Sequence, residues 1–183
     1  MIDLRKKGLP DTVLTIDGEP IVINTDFRAW IQFWVDLQND ENDRDISYLF
    51  VNEAPNIDDY ILYQLQMFLY NPSETPKNDE YASEKILDYV LDGEYIFSAL
   101  YAVYGIDIIE MDMHWHKFQA LCNNIIGDST LWGYAKSMRG YTKPSKSDTF
   151  EKQNARAKER WSFPIKLTDE ELRLKNEFDD YFG

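Results

Sequence analysis

The fold of this chain depends on the stretch IEMDMHWHKFQALCNNII, residues Ile109 to Ile126, which holds both histidines and the only cysteine. The first half of the stretch alternates between apolar and polar residues, as a strand with two different faces does. On a strand, one face would carry four side chains able to bind a metal ion: Glu110, Asp112, His114 and His116. The alternation therefore raises the hypothesis of a metal site.

The second half of the stretch has the spacing of an amphipathic helix. Its apolar positions are Trp115, Phe118, Leu121, Cys122 and Ile125. Successive helical residues are rotated by about 100°, so the side chains of His114 and His116 would point about 200° apart and could not share one ion. We therefore expect a short extended segment from Ile109 to Met113, then a packing helix from about Asp112, which is its predicted N-cap. The predicted core residues of this helix are Trp115, Phe118 and Leu121.

The composition indicates one globular domain, with an appended arm, in a reducing compartment. The chain has 183 residues, of which 44% are apolar and 15% aromatic, enough to build a core without a covalent staple. A single cysteine excludes an internal disulfide, and no apolar run is long enough to cross a bilayer. The first ten residues, MIDLRKKGLP, lack the apolar segment of a signal peptide. We expect a cytoplasmic protein that does not bind membranes.

The net charge of −14 is unevenly distributed. From Lys136 to Lys166 there are nine Lys or Arg and three Asp or Glu, a balance of +6, which leaves −20 for the other residues. An acidic body repels nucleic acid, so we expect no nucleic-acid partner. The nearest match to a single-strand binding pattern is the set Tyr134, Lys136, Arg139, Tyr141 and Lys143. The basic segment is better interpreted as a solvated helix or a self-association surface complementary to the acidic body.

Local patterns predict a hairpin and then a series of helices. Residues 13–23, VLTIDGEPIVI, flank the turn residues Asp17 and Gly18 with β-branched runs, which is typical of a β-hairpin. Asn24 or Thr25 is the predicted N-cap of the first helix. Apolar residues at i, i+3, i+4 and i+7 supply its predicted core face: Phe27, Trp30, Ile31 and Trp34.

The sequence of the middle region predicts two more helices, one brief and one long. A brief helix is expected within Ile46–Val51, and a long one is expected after the N-cap Asn56. That long helix is apolar on several sides, so it is either central to the core or half of an interface. Residues 71–84 are expected to form a surface loop, and residues 85–91 fit a strand or a helix equally well.

Two further helices are expected before the arm. One runs from Asp92 to Tyr104 and is ended by Gly105. The other begins at Asp128 or Ser129. Its inward side chains are predicted to be Leu131, Trp132, Ala135 and Met138.

A break at GYTKPSKS, residues 140–147, separates a polar C-terminal region from the rest. The following helix has too few apolar positions for a core helix and suits a projecting arm, and Thr168 with Glu171 forms a capping box for a last helix. We predict a mainly α fold: residues 1–140 form a compact helical domain with a small N-terminal hairpin, and residues 141–183 form a basic helical arm and a C-terminal helix. No internal repeat is present.

Catalytic and cofactor patterns are weak in this sequence. Cys122 falls on the apolar stripe, where a small core residue is expected rather than an activated nucleophile. The eight glycines are scattered and form no phosphate-binding loop. The helical interpretation also splits the four candidate metal ligands. We expect no enzymatic activity, no cofactor and no bound metal.

Several segments, taken in order, resemble a family of tailed-phage proteins named for gene product fifteen of a siphophage of Gram-positive bacteria. The matching segments are NTDFRAWIQF (24–33), YIFSALYAVYGIDI (95–108), HWHKFQALC (114–122), an arginine-bearing turn at 138–139, and WSFP (161–164) closing a Lys/Arg-rich helix. The family pattern has tryptophan where this chain has His116 and tyrosine where it has Met138. The replacement of tryptophan by His116 suggests a partly exposed site.

The resemblance implies a helical fold, a place in the host cytoplasm and a role in tail morphogenesis. Genes of this family lie just ahead of the tape-measure gene, where tail assembly chaperones are typically encoded. It implies tape-measure protein and other tail proteins as partners, and it carries no catalytic residues. The candidate partner-binding residues are Tyr63, Met67 and Tyr70, with Lys152, Arg156 and Arg160 of the basic arm engaging a neighbouring acidic body. The competing interpretation is a structural virion component of the tail or of the head–tail connector.

Overall fold

The structure is a computed structural model that describes residues 5–38, 45–70, 85–142 and 150–164, together with residue 173. The described chain is mainly α, with six α-helices, two short 3-10 helices and one two-stranded hairpin, which confirms the predicted fold class. The predicted loop at 71–84 and the capping box at 168–171 lie outside the described residues. The chain divides into two compact units, Met1–Gly140 and Tyr141–Gly183.

The hairpin consists of β1 (Thr12–Leu14) and β2 (Pro20–Val22), paired antiparallel with Val13 opposite Ile21. Gly18 supplies the positive φ of 85° that the turn requires. Val13 is buried, so one side of the hairpin closes onto the helices. A two-stranded hairpin is marginal by itself, and this packing stabilises it.

Helix α1 (Phe27–Asp36) begins one residue later than the predicted caps allow, because Asp26 is the N-cap and its carboxylate accepts a hydrogen bond from the Arg28 backbone N–H at 2.9 Å. Asn24 instead accepts from the Asp26 N–H at 3.0 Å. The buried side chains of α1 are Phe27, Trp30 and Phe33. The predicted core residues Ile31 and Trp34 are only partly buried and pack against the edge of the core.

Helix α2 (Asp59–Tyr70) follows a 3-10 helix at Ser47–Leu49. Asp58, rather than Asn56, accepts a hydrogen bond from the first turn, at 2.8 Å from the Ile61 N–H. The buried side of α2 carries Ile61, Leu65, Phe68 and Leu69.

Helices α3 (Gly93–Tyr104), α4 (Trp115–Asn124) and α5 (Leu131–Arg139) complete the first unit. Gly105 ends α3 with φ 65°, as predicted. Residues 85–88 are irregular and residues 89–91 lie in a turn, so the segment is neither helix nor strand. Helix α5 is capped by Thr130, so Leu131 stands at its first turn and is 64% exposed, and the prediction that Leu131 points inward is wrong.

Aromatic rings from α1, α2 and α4 form the centre of the core. The Phe27 and Phe118 rings stack with centroids 4.5 Å apart, and the Trp30 and Phe68 rings lie 4.4 Å apart. Trp115 and Phe118 of the deciding stretch are fully buried, and Leu121 is partly buried at the core edge. The stretch therefore contributes a packing helix to the core.

The second unit is described mainly by α6 (Glu151–Trp161), which buries none of its side chains. Lys158 donates a hydrogen bond to the Tyr141 carbonyl at 3.0 Å within this unit. In the described part of the chain, no helix combines the length and the hydrophobicity needed to cross a lipid bilayer.

Candidate partner-binding surface

The two histidines lie at the start of α4 and close together, which corrects the expectation that they point apart. His114 is the N-cap, with extended backbone angles (φ −63°, ψ 137°), so it precedes the helical rotation. Its Nδ1 accepts a hydrogen bond from the His116 N–H at 3.1 Å, and the two ring centroids are 5.2 Å apart. His114 takes the capping role predicted for Asp112, which is exposed outside the helix.

His116 is buried, with 2% exposure, so the expectation of a partly exposed site is wrong. Its ring stacks on Phe68 at 4.2 Å, and its Nε2 lies 2.9 Å from the Phe68 carbonyl oxygen. Two other side chains of α4 also donate hydrogen bonds to the end of α2. Trp115 Nε1 and Gln119 Nε2 donate to the Leu69 carbonyl at 2.9 and 2.8 Å. The last carbonyls of a helix lack partners within it, and here α4 side chains satisfy those of α2.

These surroundings set the chemistry of the titratable groups in α4. Burial lowers the pKa of His116 to about 4, against the opposing effect of the Phe68 carbonyl. Burial likewise lowers the pKa of His114. Burial raises the pKa of the Cys122 thiol to about 12, with Lys136 opposing that change, so the thiol stays protonated at neutral pH.

The four candidate metal ligands are not brought together. His114 Nε2 lies 2.8 Å from the Pro10 carbonyl oxygen and His116 Nε2 lies against the Phe68 carbonyl, so both atoms are positioned as hydrogen-bond donors. Glu110 and Asp112 are exposed, and the Asp112 carboxylate faces Arg28 at 3.7 Å. Among the residues that the structure describes, no group of three or more potential ligands is arranged to hold a metal ion.

Two cations of the basic segment are internal, which sequence reasoning missed. Arg139 is buried and pairs with Asp92 through two hydrogen bonds of 2.7 and 2.9 Å. Lys136 donates to the Cys122 carbonyl at 2.9 Å and lies 3.9 Å from the centre of the Trp132 ring. The signal in the sequence that could have indicated the first pair was Asp92, placed directly before the apolar helix α3. The residues of the predicted single-strand nucleic-acid pattern are also partly internal, since Tyr134 and Tyr141 are half-buried. Lys143 lies outside the described residues.

Three predicted partner-binding residues do share one surface. Tyr63, Met67 and Tyr70 lie on the outer side of α2 and are 53%, 40% and 60% exposed. Their spacing of i, i+4 and i+7 places them in one stripe about 10 Å long. Because the opposite side of α2 is buried in the core, the backbone that presents this stripe is held in place. We call these three residues the α2 stripe.

The other three candidates lie together on α6. Lys152, Arg156 and Arg160 are exposed and follow one another at intervals of four residues, so they form a basic stripe along the helix. We call these three residues the basic stripe. The α2 stripe, in the first unit, is aromatic and apolar, whereas the basic stripe, in the second unit, is cationic.

Comparison with known proteins identifies the family. A family model described as Bacteriophage Gp15 protein matches residues 8–162. The chain belongs to this family. Searches of curated proteins and of solved structures found no match. Membership in the Bacteriophage Gp15 family confirms the resemblance seen in the sequence and indicates a phage protein of the structural or morphogenetic class.

Proposed function

We propose that this protein is a non-catalytic tail assembly chaperone that binds the tape-measure protein in the host cytoplasm during tail morphogenesis. The observation that carries the proposal is the α2 stripe, an exposed line of two tyrosines and a methionine on a helix whose other side is fixed in the core. Tyrosine and methionine are frequent at contact surfaces that must bind and release a helical partner.

The chemistry of the stripe suits temporary binding. A tape-measure helix must have its apolar side covered until tail-tube subunits replace the chaperone. Burial of one such side chain in a contact contributes about 1–3 kcal/mol, so three of them support a reversible complex rather than a permanent one. The acidic body of the protein, with net charge −14 over the chain, would limit aggregation of loaded complexes.

Co-expression with the tape-measure protein of the same phage tests the proposal. We expect the tape-measure protein to be soluble with this chain and insoluble without it. The double variant Tyr63→Ser, Met67→Ser should lose this effect while keeping the wild-type melting temperature, because both side chains are exposed. Tyr101→Ser, at an exposed tyrosine of α3 outside the α2 stripe, is the matched control and should behave as wild type. Tape-measure solubility that does not depend on this chain would contradict the proposal.

The composition of purified virions separates a chaperone from a structural part. A chaperone is displaced during assembly, so mass spectrometry of purified particles should not detect the chain at stoichiometric levels. Several copies per particle would instead assign it to the tail or to the head–tail connector, and the chaperone proposal would fail.

A further inference from the structure

Between α3 and α4 the chain forms a braced loop, Ile109 to Asp112, which we call the acidic loop. Buried Ile108 precedes it and buried Met113 follows it. One Arg28 nitrogen, Nη2, donates to the carbonyls of residues 108, 109 and 111 at 2.9, 2.9 and 3.2 Å. The backbone of the acidic loop is therefore fixed at both ends and across its middle.

This fixed backbone presents apolar side chains to solvent. Ile109 is 66% exposed and Met111 is 42% exposed, while Glu110 and Asp112 are exposed beside them. Large apolar side chains in contact with water lose the stabilisation that burial would give them. A fixed segment that exposes such side chains has the properties of a contact surface.

The charge around the acidic loop is negative. Arg28 pairs with Asp26 at 3.1 Å and faces Asp112 at 3.7 Å, and the same segment carries two further carboxylates, those of Asp107 and Glu110. Two acidic side chains elsewhere in the first unit are paired with a cation, Asp92 with Arg139 and Asp88 with Lys85. The carboxylates of Glu110 and Asp112 stand next to exposed apolar groups, so they suit a ligand that is both basic and partly apolar.

The basic stripe of α6 has these properties. Lys152, Arg156 and Arg160 carry positive heads on aliphatic stems, and Ala155 lies exposed among them. Such stems cover apolar surface while their heads stay near water or a carboxylate. The spacing of about 6 Å per four residues along a helix lets successive heads reach successive carboxylates.

We propose that the acidic loop of one copy binds the basic stripe of α6 in a second copy. The aliphatic stems of Arg156 and Lys152 cover Ile109 and Met111, and their heads pair with Glu110 and Asp112. The resulting self-association is head-to-tail, because each copy offers one surface of each kind. It does not depend on the tape-measure proposal, since neither surface includes the α2 stripe.

Sedimentation velocity over a range of protein concentrations, up to about 100 µM, tests this contact in the full chain. At about 0.15 M salt, charges beyond about 8 Å are screened, so the net charge of like sign opposes association only weakly. We expect concentration-dependent association that weakens at least fivefold in about 1 M salt, because exposed ion pairs are salt-sensitive. A chain that stays monomeric over the whole range at about 0.15 M salt would overturn the proposal.

Charge-reversal variants locate the contact. Arg156→Glu and Glu110→Lys should each weaken association about tenfold or more, since each leaves two like charges facing each other. The matched controls are Lys117→Glu and Glu53→Lys, which make the same charge changes at other exposed positions. Equal effects in the variants and in their controls would show that net charge alone is responsible, and the proposal would be wrong.

Mixing the two variants distinguishes a contact between copies from one within a copy. Arg156→Glu keeps a native acidic loop and Glu110→Lys keeps a native basic stripe, so an equimolar mixture can form both the native pair and a charge-swapped pair. We expect the mixture to associate within about threefold of wild type, although neither variant does so alone. A mixture that associates no better than the separate variants would overturn the proposal.

Discussion

Helices α4 and α6 are nearly equal in length, at 10 and 11 residues, yet they relate to their surroundings in opposite ways. Helix α4 buries Trp115, His116, Phe118 and Cys122, whereas α6 buries no side chain. Helix α4 has an apolar stripe in sequence, whereas α6 has too few apolar positions for a core helix. The difference shows that apolar spacing separates a core helix from a projecting one, whereas the partners of a core helix depend on distant residues.

The distant partners of α4 are specific. His116 and Trp115 bond to carbonyls at the end of α2, and Phe118 stacks on Phe27 of α1. Helix α6 presents charges instead. Helix α4 therefore serves stability, and we expect α6 to serve association.

Truncation of Phe118 should have the largest effect on stability. Phe118 is fully buried between Phe27 and Trp115, so Phe118→Ala removes a ring from a packed site. We expect a loss of about 3–5 kcal/mol in the free energy of unfolding, measured by urea titration. Ala155→Gly in exposed α6 is the contrasting variant and should cost about 1 kcal/mol or less. Equal losses would contradict the difference between the two helices.

Acidification should destabilise the first unit through His116. The pKa of His116 is lowered from 6.5 to about 4 in the folded state, so the unfolded chain binds this proton first as the pH falls. The stability that depends on the neutral ring is complete above pH 6.5 and is lost between pH 6.5 and about 4. The loss should be at most about 3 kcal/mol, measured by urea titration at several pH values.

His116→Gln is the control for this pH dependence, because a glutamine amide can donate to the Phe68 carbonyl but does not titrate. Carboxylates also protonate near pH 4, so the relevant quantity is the wild-type curve minus the variant curve. Parallel curves for the two proteins would mean that His116 does not carry the effect.

The N-cap of α4 should have a smaller effect. His114→Ala removes the Nδ1 acceptor for the His116 N–H and the contact with the Pro10 carbonyl. We expect a loss of about 1 kcal/mol, seen as a lower urea midpoint with an unchanged slope. His114→Asn restores a capping oxygen and should recover most of this loss. If His114→Asn is no more stable than His114→Ala, then His114 does not stabilise the protein by capping α4.

Arg156→Ala in α6 should have the smallest effect on stability. Arg156 is exposed on a helix with no buried side chains, so we expect a change within about 0.5 kcal/mol in the free energy of unfolding. Arg139→Ala in α5 is the sharp contrast, because it leaves Asp92 buried and unpaired at a cost of about 3–5 kcal/mol. Thermal unfolding of both variants measures the difference.

Local signals predicted much of this fold. Turn residues placed the hairpin, and Gly105 marked the end of α3 because a left-handed residue is needed there. Apolar spacing identified α1 and α2 and the exposed positions of the α2 stripe. Each of these features depends on neighbours within a few positions, which the sequence displays directly.

The failures share a physical cause. His116 is buried because it meets a carbonyl 48 positions earlier, and Arg139 is buried because a carboxylate 47 positions earlier neutralises it. Polar residues are normally expected at the surface unless a partner satisfies them, and sequence periodicity does not reveal such distant partners. The bracing of the acidic loop by Arg28 is of the same kind, since it spans 80 positions or more.

Carbonyls near the end of α2 accept hydrogen bonds from side chains that come nearly fifty positions later in the chain. The last turn of this helix is thus tied to α4 by contacts that come from outside the following segment. A tag or a fluorescent domain inserted beyond Tyr70 should for the same reason leave α2 folded.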